Sequence, residues 1–166
     1  MPTIIELTAA EPISALAAGD ILVAEGTTGG MLYVLLSGEL TVERDGVKLA
    51  SLTQPGTLVG EMSVLLGTPS TATVRARRES HVRTIADAAK VLDTDARLAS
   101  RVASELAARL NATSALLVEL SRKDDGKAHD QGLLARIIGA LHMSSDEVPV
   151  ERNDMFDMAQ GRGGPV

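Results

Sequence analysis

The sequence predicts a mainly β domain, an all-β sandwich or barrel, followed by a long helix. In the first half, glycines from Gly19 to Gly67 fall mostly 4 to 12 residues apart and separate short aliphatic and β-branched runs. From residue 86 to residue 122 there is no proline or glycine, and alanine, leucine and arginine dominate. The 166 residues are 45% hydrophobic, which is enough for a single core.

Turn residues mark the ends of the predicted strands. Asp45-Gly46 predicts a tight hairpin, because glycine accepts the positive φ of such a turn. Pro55-Gly56 marks a second turn. Along residues 71–77 apolar and polar side chains alternate, which is typical of a half-buried strand. The predicted strands cover residues 21–23, 31–36, 40–44, 47–52 and 71–76.

The second half predicts a helix over residues 94–122. Asp93, Thr94 or Asp95 is suitable as its N-cap. Leucine and valine recur at three-, four- and seven-residue steps and form one apolar stripe. Two interpretations stay open: the stripe packs on its own β domain, or it meets a partner helix. Its members are Leu98, Val102, Leu106, Leu110, Leu117 and Leu120.

Charge and composition argue against several classes of function. The formal net charge is −6 and only 1% of residues are aromatic, so neither phosphate contacts nor base stacking favour DNA as a partner. The absence of cysteine fits a reducing cytoplasm. The N-terminus lacks the pattern of a signal peptide, and no run of eighteen apolar residues predicts a membrane span.

Neither a metal site nor a catalytic site is predicted. His81, His129 and His142 are too far apart along the chain to suggest a cluster of metal ligands. No nucleophile–base pair is recognisable, so we expect a protein that is not an enzyme.

The segment from Gly60 to Val74 contains the candidate binding residues. It predicts a glycine turn, one short helical turn, a second turn at Gly67-Thr68-Pro69 and then a strand. The first amides of a helix lack partners and attract anions, so this turn is suited to a phosphate. The alternative is a helical connection in which Glu61 only stabilises the helix dipole.

Several linked motifs occur in order and at matching intervals. They are Gly19-Asp20-Ile21-Leu22, Glu25-Gly26, Leu32 to Gly38, Pro55 to Glu61, and Gly67-Thr68-Pro69-Ser70-Thr71-Ala72-Thr73-Val74. Over residues 13–122 the chain thereby resembles the cyclic-nucleotide-binding domain family, the sensor domain of catabolite activator protein-like regulators. The resemblance implies an antiparallel β-roll, a double-stranded β-helix or jelly roll, followed by a long C-terminal helix.

The resemblance also implies a set of ligand-binding residues. Glu61 matches the acid that binds the ribose hydroxyl, and Gly60, Met62 and Ser63 match the positions whose amides bind phosphate. Thr71 matches a position where a hydroxyl contacts the phosphate in some members and favours guanine. The implied ligand is cAMP or cGMP, with no other cofactor.

Ser70 stands where the family has the arginine that binds the cyclic phosphate. Replacing a charge-assisted contact by a neutral one costs about 1.5–3 kcal/mol, or about ten- to a few-hundredfold in affinity. We do not expect Arg75 to replace it, because Arg75 lies four residues beyond Thr71 on the same strand face, and four residues of strand span about 13 Å. Arg77, Arg78 and Arg83 are expected on a solvated basic edge.

Two functions follow as hypotheses. The first is a stand-alone regulatory sensor with a weak or altered cyclic-nucleotide site in residues 1–122. The second is a degenerate, non-binding domain that acts as a dimerisation or docking module, through a homodimer or a partner protein at the helix over 94–122. Residues 123–166 predict an appendage with a short helix over 133–143 and a disordered tail.

Overall fold

The structure, a computed structural model, describes residues 2–123. The predicted helix over 133–143 and the predicted tail lie outside these residues, and the domain boundary at residues 122 and 123 stays a prediction. Contacts divide the chain into two units, Met1–Ala108 and Arg109–Val166. The described elements are α1 (Ile4–Leu7), β1 (Ile13–Leu16), β2 (Ile21–Val23), β3 (Leu32–Ser37), β4 (Leu40–Arg44), β5 (Val47–Leu52), β6 (Leu58–Val59), α2 (Glu61–Leu66), β7 (Thr73–Ala76), β8 (Ser80–Ile85), α3 (Ala88–Thr94) and α4 (Ala96–Lys123).

Two four-stranded sheets make up the β part of the first unit. One has the strand order β1-β8-β3-β6 and the other β2-β7-β4-β5, and the paired strands are antiparallel. Most neighbours are distant in sequence, as when β1 pairs with β8. The predicted antiparallel β-roll followed by a long helix is confirmed.

The turn residues predicted five of the eight strands of the described residues, and β1 and β6 are among those they did not predict. Strands β2, β4 and β5 have the predicted bounds, whereas β3 and β7 begin one and two residues later. Asp45 and Gly46 both have positive φ, 51° and 75°, as the predicted hairpin between β4 and β5 requires. In β7, buried Val74 and Ala76 alternate with half-buried Thr73 and Arg75.

Strand β8 was not predicted, because its residues mix polar and apolar types. It nevertheless lies between β1 and β3, and Val82 and Ile85 are buried. The expectation that Arg83 is solvated is wrong: this residue is half-buried, and its Nη1 donates to the Ile5 carbonyl oxygen at 2.8 Å. Arg83 thereby ties β8 to α1, while Arg77 and Arg78 are exposed as expected.

Two apolar clusters share strand β3, whose side chains point alternately to its two faces. Leu32 and Val34 pack with residues of α1, α3 and α4. Leu35 packs in a second cluster with residues of β4, β7 and β8, and Tyr33 contacts the same cluster. The first sheet therefore lies between the helices and the second sheet.

The apolar stripe of α4 divides into two parts. Asp95 is the N-cap, since its Oδ1 accepts from the amides of Arg97 and Leu98 at 3.0 and 3.1 Å. In the first unit Leu98 and Val102 are buried and belong to the core under the first sheet. In the second unit the stripe is largely exposed, with Leu110 and Leu120 at 44% and 59% exposure.

Candidate functional site

Helix α2 is held between two glycines with left-handed backbone. Gly60 has a φ of 92° and Gly67 a φ of 64°. A Cβ atom on Gly60 would lie 2.7 Å from the carbonyl oxygen of Met31, whereas one on Gly67 would meet no atom within 4 Å. Glycine at position 60 therefore allows α2 to begin directly against the segment that leads into β3.

A cavity of about 430 Å³ lies between the start of α2, Ser70 and the loop that joins β2 to β3. This volume falls within the range of small-molecule sites, about 300–1,000 Å³. The walls combine aliphatic side chains, hydroxyl-bearing side chains and glycine backbone. The lining residues are Leu22, Val23, Ala24, Thr27, Thr28, Gly29, Gly30, Met31, Tyr33, Gly60, Ser63 and Ser70.

Three of the six residues predicted to bind the ligand line this cavity: Gly60, Ser63 and Ser70. Glu61 is buried, with 5% exposure, and is not among the lining residues. Met62 and Thr71 are exposed and do not line the cavity either. The structure thus brings half of the predicted set together around one space, and the ligand roles of all six stay predictions.

Ser70 is joined to the β2–β3 loop by its backbone. Its amide donates to the carbonyl oxygen of Thr27 at 2.9 Å, and its carbonyl oxygen accepts from the amide of Gly26 at 2.7 Å. These two bonds join Ser70 to the loop that lines the same cavity.

The lining of the cavity carries no ionisable side chain except the phenol of Tyr33. Burial raises the pKa of the Tyr33 hydroxyl above its usual value, so this group is neutral near pH 7. Arg75 is bonded elsewhere, since its Nη1 donates to the Gly19 carbonyl oxygen at 2.9 Å. Arg75 is not among the residues that line the cavity, and its expected failure to replace the family arginine stays a prediction.

The sequence reasoning missed the β2–β3 loop, which supplies much of the lining. The loop has no periodic apolar pattern, and the dense run Thr27-Thr28-Gly29-Gly30 reads only as a turn. Clustered hydroxyls and glycines next to a strand end were the available signal. Tyr33 was also missed, because it lies within β3 and residue type alone does not distinguish a core residue from one that lines a cavity.

Within residues 2–123, no three His, Cys, Asp or Glu side chains come together as a group able to hold a metal ion. None of the helices in the same part of the chain is long and apolar enough to cross a membrane.

Residues 13–90 match the family model of the cyclic nucleotide-binding domain. An uncharacterized ABC transporter ATP-binding protein of Mycobacterium tuberculosis is 37% identical over 67 residues, which are 38% of this chain and 20% of that protein. The cGMP-dependent protein kinase egl-4 of Caenorhabditis elegans is 39% identical over 59 residues, 36% of this chain and 7% of the kinase. The chain spans at most about a fifth of the length of these curated relatives.

Solved structures share the fold at lower identity. A transcriptional regulator from Thermotoga maritima is 16% identical with a TM-score of 0.59, over 73% of this chain and 99% of that one. A cAMP-bound PfPKA-R fragment is 21% identical with a TM-score of 0.55, over 70% and 39% of the two chains. The family match, the two antiparallel sheets and the long helix agree, and residues 13–90 of this chain belong to the cyclic nucleotide-binding domain family.

Proposed function

We propose that this chain is a non-catalytic regulatory module of the cytoplasm that binds a nucleotide-like ligand in the cavity beside α2. The observation that carries the proposal is the convergence of Gly60, Ser63 and Ser70 on one cavity of suitable size. Family membership supplies the class of ligand, which includes cAMP and cGMP. Ligand binding then changes the position of the helices that pack on the first sheet, and a partner protein responds to the new position.

Affinity for cyclic nucleotides is weakened in this proposal, because Ser70 offers no charge to the phosphate. Calorimetric titration with cAMP and cGMP up to millimolar concentrations tests the site. Ser70→Arg is expected to tighten cyclic-nucleotide binding by about tenfold or more, since a charge-assisted bond is regained. Ser51→Arg is the matched control: Ser51 lies exposed on β5 and does not line the cavity, so the same change in charge leaves affinity unaltered.

The proposal fails if neither a nucleotide nor a nucleoside produces heat or a thermal shift with the unchanged chain or with Ser70→Arg. Tyr33 gives a second readout, since it lines the cavity and the chain contains one tyrosine and no tryptophan. Intrinsic fluorescence therefore reports on this site alone.

A second candidate function is dimerisation or docking through α4. Leu116 and Leu120 are 60% and 59% exposed, and Leu110 and Val118 are 44% and 41% exposed. Leu110, Leu116 and Leu120 lie on the same side of the helix, and a continuous exposed apolar surface is typical of an interaction site. Light scattering at high concentration tests the homodimer: a dimeric mass that Leu116→Glu reduces to the monomer supports it, and a strictly monomeric mass removes it.

A further inference from the structure

Four of the five hydroxyl-bearing residues that line the cavity already donate their only hydroxyl proton inside the protein. A hydroxyl has one proton to donate and two lone pairs that accept. Backbone carbonyl oxygens and a thioether sulfur can only accept, so the direction of each bond is determined. The four bonds run from Thr27 Oγ1 to the Ala24 oxygen (2.6 Å), Ser63 Oγ to the Thr68 oxygen (2.5 Å), Ser70 Oγ to the Ala72 oxygen (3.2 Å) and the Tyr33 hydroxyl to Met31 Sδ (3.3 Å).

These side chains therefore present hydrogen-bond acceptors to a ligand. The bond from Tyr33 to sulfur is the weakest of the four, because a thioether is a poor acceptor. The bonds of Thr27 and Ser63 are short. A phosphate oxygen, which itself only accepts, finds no proton on these hydroxyls unless an internal bond is broken.

The distribution of charge around the cavity also disfavours an anionic ligand. The lining contains no cation, and Arg75 is bonded to the Gly19 carbonyl oxygen. The whole chain has a net charge of −6. An anion that leaves water for such a site loses hydration without gaining an opposite charge.

We propose that the cavity selects an uncharged, donor-bearing ligand of the nucleoside class over the corresponding cyclic phosphate. This inference rests on the proposed function and names the class of ligand for the same site. A nucleoside carries amino and hydroxyl donors that match the acceptors of Thr27, Ser63 and Ser70. Its planar base suits the aliphatic walls formed by Leu22 and Val23.

The test compares matched pairs on the full chain: adenosine with cAMP, and guanosine with cGMP. Calorimetry and Tyr33 fluorescence measure the dissociation constants. In at least one pair the nucleoside is expected to bind about tenfold more tightly than its cyclic phosphate. This factor corresponds to the free-energy cost of one unpaired charge at a partly buried site. A cyclic phosphate that binds as tightly as its nucleoside, or more tightly, in both pairs overturns the inference and leaves the proposed function standing. If no compound binds, both fail.

The Ser70→Arg variant tests whether charge, and not the shape of the cavity, determines the preference for the nucleoside. The added cation is expected to favour the cyclic phosphate over its nucleoside by about tenfold relative to the unchanged chain. Ser51→Arg, the control on exposed β5, is expected to leave the preference unaltered. Equal shifts in the two variants contradict the inference, because a general charge effect would then explain them. Thermal unfolding shows that each variant is folded, and the comparison of pairs on the unchanged chain decides the question if Ser70→Arg is not.

Discussion

Replacing Gly60 with alanine probes the closest approach of α2 to the segment before β3. An alanine at φ near 92° costs about 1–2 kcal/mol, because Cβ crowds the following carbonyl in left-handed backbone. The new Cβ would also lie 2.7 Å from the carbonyl oxygen of Met31, and backbone atoms cannot rotate away. Relieving such an overlap costs about 1–3 kcal/mol more. We expect Gly60→Ala to lower the free energy of unfolding by about 2–5 kcal/mol.

Gly67→Ala is the matched control at the other end of α2. Gly67 also has positive φ, but its Cβ would meet no atom within 4 Å. Only the conformational cost of about 1–2 kcal/mol applies. Both variants restrict the unfolded chain equally, so this effect cancels in their difference. The difference between them, about 1–3 kcal/mol, therefore measures the contact with Met31.

Urea denaturation followed by circular dichroism measures both free energies of unfolding. A difference of 1–3 kcal/mol corresponds to a separation in Tm of about 2–12 °C for a chain of this length. Equal destabilisation by the two alanines would refute the close approach of Gly60 to Met31. Ligand titration adds a second readout: Gly60 lines the cavity and Gly67 does not, so only Gly60→Ala is expected to weaken binding.

Three further predictions concern the cap of α4, the cavity phenol and the core. Asp95→Ala removes the acceptor for two amides of α4 and should cost about 1 kcal/mol by urea denaturation, while Asp95→Asn retains most of the cap. The phenol absorbance of Tyr33 should titrate above its usual pKa, because burial disfavours the phenolate. The contribution of the neutral phenol to stability is then fully present below the pKa of Tyr33 in the unfolded chain, near 10, and is lost as pH rises through its pKa in the folded chain. A normal titration midpoint would contradict this. Leu35→Ala, at a fully buried position between the sheets, should cost about 2–5 kcal/mol in urea, and a loss below 1 kcal/mol would place Leu35 outside the core.

The strands that turn residues delimit were predictable from the sequence. Asp45-Gly46 specifies β4 and β5 locally, because the two residues adopt the positive φ that a tight hairpin needs. Strand β8 was not predictable in this way, because its partners β1 and β3 are distant in sequence. Arg83 illustrates the difference: an arginine is ordinarily solvated, and only the position of α1 supplies the carbonyl oxygen that it binds.

The apolar stripe on α4 was predictable from the sequence, but the burial of its first part and the exposure of its second part were not. Periodicity places Leu98 and Leu120 on the same face and does not say what covers that face. The structure buries Leu98 against the first sheet and leaves Leu120 exposed. Core packing thus accounts for the first part of the stripe, and the dimerisation hypothesis rests on the second.

The sequence by itself determined the β-roll family, the short helix after Gly60 and the presence of serine at position 70. These features depend on residue identity and local order. Only the tertiary structure decided which residues face the cavity, because the β2–β3 loop meets Ser70 through bonds between Gly26, Thr27 and Ser70 that span more than 40 positions. It also decided where the hydroxyl protons point. A serine or threonine can donate or accept, and the protons of Thr27, Ser63 and Ser70 are donated to carbonyl oxygens that only the fold places beside them.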